Sequence, residues 1–309
     1  MAPASADNGG YLNIKDTNDS DIRQRIQTYQ SRLIPSDLSV QLQIIKELTQ
    51  MDIQPAHKAL IDIMTNGTLR PETRKASLES LVALGINLHE IDLSDADFAE
   101  ANLPGAILTA AELSRTDFQR AALQGAFFQD ANLEDACFCG ADLTNAAFCH
   151  ADLYRANLSF CNLTGADLAG TYARDVLFNQ SRMRNVFLHS AILSGAKFDN
   201  NHLAHVDLSH AKLTEAILTR VDLHMANLEG AKLVMAEFTK VNFEGAILKN
   251  TQMVGAQFLE CNFSGADLTG ADLTATEICD VKGLTHQQLS KTKSIHLFRL
   301  TSIIKNGKD

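Results

Sequence analysis

The sequence has no tryptophan, five prolines and four tyrosines in 309 residues, and aromatic residues make up only 6% of it. It has no run of about 18 apolar residues and no charged-then-apolar leader, so neither a membrane-spanning helix nor a conventional secretory signal is expected. A cytoplasmic location is expected; specialised export as an effector needs no such segment and stays open. There is also no Gly-rich phosphate loop, no nucleophile elbow and no H-E-x-x-H pair, so the usual sequence signatures of nucleotide, hydrolase and zinc chemistry are missing. Basic residues are in deficit, with 27 Lys and Arg against 37 Asp and Glu and a net charge of −10. That balance argues against direct nucleic-acid binding.

What is present is a five-residue unit, read as small, Asp or Asn, large apolar, polar, polar. ADLTG at 266–270, ADLTA at 271–275 and ANLEG at 226–230 are examples. The large centre falls on every fifth residue from Leu88 to Ile278, giving 39 consecutive units in one register without insertion or deletion. In extended backbone the small residue and the centre, two apart, point to the same side, and the residue between them points away. The two residues after the centre favour turns, so each unit predicts a short strand and a corner, and a chain that turns at fixed intervals coils. Every fourth centre forms a column running Phe98, Phe118, Phe138, Leu158, Phe178, Phe198, Leu218, Phe238, Phe258, Ile278, so a period of twenty is visible in the sequence itself. Ala before most centres follows from volume, since four large side chains already fill a layer.

This pattern resembles the pentapeptide-repeat family over about two thirds of the chain. The resemblance implies a mainly β fold, a right-handed quadrilateral parallel β-helix of about ten 20-residue coils, with neighbouring coils about 4.8 Å apart. The expected organisation is a disordered leader at 1–17, a helical cap domain of HEAT-like αα-hairpins at 18–85, the β-helix at 86–283 and a short helical C-terminal cap or tail at 284–309. Helices are predicted over 21–33, 37–51, 56–65 and 72–84, with Leu38, Leu42, Ile45 and Leu48 on one face of the second. Caps are needed because an end coil otherwise exposes its core and an unpaired strand edge. Thr285 is the predicted N-cap of the last helix. The apolar residues Ile295, Leu297, Phe298, Leu300, Ile303 and Ile304 either close the end of the solenoid or form a homodimer, as C-terminal segments do in relatives.

The charge is uneven, with nets of −1 for residues 1–85, −13 for 86–283 and +4 for 284–309. The outward residue of each unit is the one the core does not dictate, and there function should be written. From 171 to 195 the Asp/Asn habit breaks into Tyr172, Leu177, Arg182, Phe187 and Ile192, with Arg174 and Arg184 beside them. Apolar and Arg side chains around one coil match the composition of protein interfaces. The alternative is a local bulge in which Tyr172 turns inward to fill the space at Ala173, the one centre that is not large. Ile107 and Phe127 make a second, smaller apolar patch. The wall Asp92, Glu112, Asn132, Asp152, Tyr172, Ile192, Lys212, Lys232, Gln252, Asp272 runs from acidic through apolar to basic, a face able to set a partner's orientation.

Ser181 and Asn201, inward in successive coils, are expected to bond to each other. The repeat histidines, with His189, His205 and His210 expected near one corner, have no carboxylate or thiol at ligand spacing, so neither a metal nor a cofactor is expected. Cys161 and Cys261 point inward five coils apart, too far to bridge, and free thiols in a reducing compartment are expected. Function is therefore expected to be a non-catalytic protein–protein interaction scaffold, not an enzyme. The family resemblance raises one alternative, a DNA-mimicking modulator or protector of a type II topoisomerase such as gyrase.

Overall fold

The computed structural model describes residues 19–294 and 299–301. The chain divides into two compact units, 1–84 and 85–309.

Among the described residues the first unit holds four helices: α1 (Asp19–Leu33), α2 (Leu38–Met51), α3 (Gln54–Thr65) and α4 (Pro71–Ala83). Proline occupies the first turn of α3 and α4, where its missing N–H costs nothing. The Asp37 side chain caps α2 by accepting from the Val40 N–H at 3.0 Å. The inward face of α2 is Gln41, Ile44, Ile45 and Leu48, and Leu42 is exposed. The predicted face was thus misphased at Leu42, because Gln41 lies inside. Its amide is fully used there, donating to the Leu33 carbonyl at 2.8 Å and accepting from the Thr73 hydroxyl at 2.5 Å. A satisfied amide removes the main penalty of burying it.

The second unit is a parallel β-solenoid. Every centre from Leu88 to Ile278 is buried, as is every small residue from Ala96 to Val281. Every fifth residue from Glu90 to Asp280 has a positive φ, the left-handed region in which the chain turns. Most corners close with an N–H from the next small residue to the centre carbonyl, as from Ala96 to Leu93 at 3.2 Å. Between corners, residues pair with those twenty further on in four ladders, here named by their first members the Asp92, Asp97, Asn102 and Ile107 walls.

Pairing at this offset runs from Asp92↔Glu112 to Asn262↔Lys282, while on the Asp92 wall Asp272 pairs with Ser294. The expectation of about ten equivalent strand-built coils is too uniform. Among the described residues, three-residue strands occur only on the Asp97 wall, as β1 (Lys197–Asp199), β2 (Ile217–Thr219), β3 (Glu237–Thr239), β4 (Gln257–Leu259) and β5 (Glu277–Cys279), which span four turns. Elsewhere the ladder consists of isolated single-residue bridges, because a corner every five residues leaves too little straight backbone for more.

Inside, phenylalanines stack coil on coil at centroid distances of 5.2 Å for Phe118–Phe138, 4.9 Å for Phe178–Phe198 and 4.8 Å for Phe238–Phe258. Rings of different walls meet edge to face, as Phe138 and Phe148 do at 5.9 Å; both arrangements suit the ring quadrupole. After the last coil, Thr285 and Gln288 form a capping box on α5 (His286–Leu289). The Gln288 amide donates to the carbonyls of Phe263 and Ala266, both at 2.9 Å, which ties this turn to the solenoid end. A sixth strand, β6 (Arg299–Thr301), adds to β5 with Leu300 opposite Ile278, an offset of 22 instead of 20. The backbone of Leu300 thus continues the ladder of its own chain, while Ile295, Leu297, Phe298, Ile303 and Ile304 lie outside the described residues.

Ala226 is fully buried between layers of large centres. Replacing it with Leu is expected to overpack the solenoid and cost about 1–3 kcal/mol, read as a lower urea midpoint at unchanged m-value.

Candidate functional site: the outer wall between Thr171 and His202

The outward residue of a unit has a structural task. At most Asp and Asn positions its Oδ1 accepts the N–H two residues on, as in Asp152 from Tyr154 at 2.9 Å, Asp207 from Ser209 at 2.9 Å and Asn242 from Glu244 at 3.2 Å. This is an Asx turn, a side chain that pins the corner. Asn102 has no such donor to accept from, since Pro104 stands two residues on. A unit without Asp or Asn forgoes a bond contributing about 0.5–1.5 kcal/mol.

Against that background the outward positions Tyr172, Leu177, Arg182, Phe187, Ile192, Lys197 and His202 are seven successive units without the pinning side chain. The next longest such run is three, at Ile247, Gln252 and Gln257. Tyr172 is 53% exposed and Phe187 49% exposed, Leu177 and Ile192 are half-buried, and Arg174, Arg182 and Arg184 are exposed. Tyr172 therefore points outward, and the bulge alternative does not describe this coil. Ala173 is itself buried, and Met183 of the same coil is buried on the opposite Asn102 wall.

Tyr172 bridges to Ile192 on the Asp92 wall, so the two are adjacent. Phe187, one corner before Ile192, stands on the Ile107 wall between Asp167 and Asp207. Arg182 lies beyond Asn162 on the Asn102 wall, where the ladder then breaks: among the described residues no bridge joins Arg182 to His202. The Ser181 carbonyl, which by the pattern of neighbouring coils should receive the His202 N–H, takes the Asn201 amide instead at 3.2 Å. Asn201 also donates to the Phe178 carbonyl at 2.6 Å, and the Ser181 hydroxyl donates to the Leu158 carbonyl at 2.6 Å. The expected side-chain bond between Ser181 and Asn201 is thus replaced by bonds from each to a backbone carbonyl of the preceding coil. The second patch, Ile107 beside Phe127, is a bridged pair with Phe127 42% exposed.

Some exposed residues lie outside the outward columns. Phe160, Met225 and Met235 are half or more exposed at left-handed corner positions. Their signal in the sequence is an apolar residue at the fifth place of a unit, where Gly, Asn and Asp are the comfortable choices. Arg155, at another corner, ion-pairs with Asp135 and stacks on Tyr154 at 4.6 Å.

A scan against family models matches pentapeptide repeats, in 8 copies, over residues 91–130, 128–165, 161–200, 202–233 and 236–274. The chain belongs to the pentapeptide repeat family. Among solved structures it is similar to HetL, a pentapeptide repeat protein involved in heterocyst differentiation regulation from the cyanobacterium Nostoc sp. strain PCC 7120. That match has 30% identity, covers 62% of this chain and 86% of HetL, and has a TM-score of 0.28. It is also similar to QnrB1, a plasmid-mediated fluoroquinolone resistance protein, at 18% identity over 65% of this chain and 95% of that one, with a TM-score of 0.29. A pentapeptide repeat protein from the Arabidopsis thaliana thylakoid lumen matches at 22% identity over 40% of this chain and 68% of that one, with a TM-score of 0.12. No curated protein matches.

The titratable groups of the repeat are mostly structural. Burial pushes the Cys161 and Cys261 thiols up to about 12, and Cys149, partly buried against Asp167, to about 11, so none supplies a thiolate at neutral pH. His205 and His224 meet edge to face at 5.5 Å. No group of three or more His, Cys, Asp or Glu among the described residues is placed to hold a metal ion, and no described helix is long and apolar enough to cross a membrane.

The pinning carboxylates titrate in a defined direction. The Thr269 hydroxyl and then its N–H hold Asp267 below the usual carboxylate range, and Thr274 does the same for Asp272. A depressed folded-state value stabilises fully above the unfolded value near 4, and that contribution is lost as pH falls through the folded value. The urea midpoint is therefore expected to stay level from about pH 7 to 5 and to drop below about pH 4. The Asp267→Asn, Asp272→Asn pair, which keeps both acceptors, should flatten that acid limb. The uncapped coil gives the converse expectation. Phe187→Asn supplies the missing Oδ1 to the His189 N–H and should leave stability unchanged or raise it by up to about 1 kcal/mol; a loss in thermal denaturation would show that Phe187 is there for packing.

Proposed function

We propose that this pentapeptide repeat protein is a non-catalytic scaffold that binds another protein through the belt of outer wall between Thr171 and His202. The run of seven unpinned units carries this reading. Corner-stabilising Asp and Asn are given up on four successive walls, and what replaces them is apolar or cationic. Nothing in the core requires that, since the small residues and centres behind the belt are as buried as elsewhere. Stability exchanged for exposed Phe, Tyr and Arg is the pattern of a binding surface, where such residues dominate the energetics.

The belt also specifies partner chemistry. Arg174, Arg182, Arg184 and Lys197 face solvent with Asp175 as the only acid among residues 171–198, within a repeat of net −13. A segment presenting carboxylates beside an apolar anchor matches both features.

The gyrase-directed alternative is the weaker reading. DNA mimicry needs carboxylates in phosphate-like rows, whereas many outward carboxylates here are occupied by their own backbone N–H groups. All four walls are interrupted by Ile, Phe, Leu, Arg or Lys.

An affinity pull-down from the source cell, with wild type beside Phe187→Asp and Arg182→Glu, tests the proposal. A protein captured by wild type is expected to bind either variant at least tenfold more weakly, about 1.4 kcal/mol, with both variants folded. Equal recovery by all three would reject the belt. Protection of gyrase in a supercoiling assay would favour the alternative.

A further inference from the structure

The Asp92 wall carries an arrangement that a scaffold face does not by itself require. Along it the outward residues are Asn132, Asp152, Tyr172, Ile192, Lys212 and Lys232, each bridged to the next. The apolar pair lies in the middle, with acid on one side and base on the other. Lys212 and Lys232 are exposed, adjacent and in register, and neither has an ion-pair partner among the described residues. Like charges directly opposite in a ladder are unfavourable. Several acids of the ladders are relieved by amides, Asn132 donating to Glu112 at 2.8 Å, Asn227 to Asp207 at 3.2 Å and Asn242 to Asp222 at 3.0 Å, though Asp92–Glu112 and Asp97–Asp117 are directly bridged acid pairs. The lysine pair has no such relief, and Asp152 has no basic neighbour in ion-pair range among the described residues.

We infer that this wall is a self-complementary interface that takes a second copy of the chain, with the two solenoids antiparallel. Place a twofold axis in the plane of the interface, across the wall between Tyr172 and Ile192. Tyr172 of each copy then meets Ile192 of the other, and Asp152 meets Lys212 on both sides of the axis. At the flanking corner Arg155 falls opposite Glu215. This is the reciprocal pairing an isologous interface demands. A parallel pair would set Asp152 against Asp152 and Lys212 against Lys212, so charge selects the antiparallel arrangement. Five steps of ladder span about 24 Å on a wall one short strand wide, which places the contact among small interfaces and makes it weak and salt-sensitive.

The inference divides the belt: Tyr172 and Ile192 serve the second copy, and Phe187, Arg182 and Arg184 remain for the partner. It is tested separately from the proposed function, by sedimentation equilibrium of the full chain up to roughly 100 μM with no partner present. Wild type is expected to approach twice the monomer mass at low salt and to dissociate by about 0.5 M salt. Lys212→Glu and Asp152→Lys should each be monomeric alone, because each creates two like-charge contacts across the axis. Mixed, they should form a heterodimer, since Asp152 then meets Lys212 and the new Glu meets the new Lys. Recovery on mixing also excludes misfolding as the cause of the loss. Wild type monomeric throughout, a dimer indifferent to Lys212→Glu, or no recovery on mixing would each overturn the inference.

Discussion

The solenoid depends on its corners. Each residue two places after a centre is left-handed, from Glu90 to Asp280 without exception, and most of these residues are not glycine. Arg115, Phe160, Met225 and Lys240 all sit in a conformation that side chains with a Cβ ordinarily avoid. The chain accepts this because a corner is never alone. Most are closed by their own turn hydrogen bond, many are pinned by an Asx side chain, and most are tied to the coil beyond through the left-handed N–H, as from Asp95 to Ser114 at 2.9 Å. Moving one corner would break bonds in two layers. The strain is therefore distributed along the ladder, and that is why the register tolerates no insertion over 39 units.

Stacked corners also make demands on one another. The side chain of a left-handed residue leans over the residue twenty positions on, so His210 occupies the space a Cβ on Gly230 would need, and Met225 does the same over Gly245. Glycine there is chosen as much for the neighbour's bulk as for its own φ. The inward small position follows a similar logic. Where it is a hydroxyl, its hydrogen goes to the carbonyl of a centre: in the preceding coil for Thr116 to Leu93 at 3.0 Å, Ser181 to Leu158 at 2.6 Å and Thr276 to Met253 at 3.2 Å, and three residues back for Thr171 to Leu168 and Thr251 to Leu248, both at 2.8 Å. The Leu93 and Met253 carbonyls already accept a turn N–H and have a second lone pair free, while at Leu158 the turn N–H, that of Cys161, goes to the Ser181 hydroxyl oxygen at 3.2 Å instead. A hydroxyl thus fits beside packed Leu and Phe with no buried group left wanting.

Much of this was legible in the sequence because a strict period leaves few alternatives. Spacing of two placed small residue and centre together, spacing of five gave the corner, and the phenylalanine column gave the four walls. What stayed hidden was set by contacts the period does not encode. Gln41 reads as a surface residue until Leu33 and Thr73 are brought to it. The exposed Phe160, Met225 and Met235 were overlooked because the corner position reads as turn-forming whatever its side chain. The belt itself was visible as a break in habit, but its extension through Lys197 and His202 becomes apparent only when the outward Asp and Asn are recognised as corner pins, so that their absence is a measurable concession.

The same recognition changes how the acidity of the repeat is read. Asp and Asn pin equally well because only Oδ1 is needed, as Asp142 and Asn162 show on adjacent coils, accepting from Thr144 at 3.1 Å and Thr164 at 3.3 Å. Charge is then a by-product of backbone geometry, and interleaved Asn limits its accumulation by donating to the acid beside it, as Asn162 does to Asp142 at 3.2 Å. A net charge of −13 on the repeat is therefore poor evidence for a ligand that answers to negative charge. Departures from the pinning rule are better evidence, because the fold has no use for them. On the Asp92 wall these departures include two exposed lysines, one bridged to the other, set one residue of the ladder beyond the exposed Tyr172, and an opposing charge from outside the solenoid would relieve their mutual repulsion.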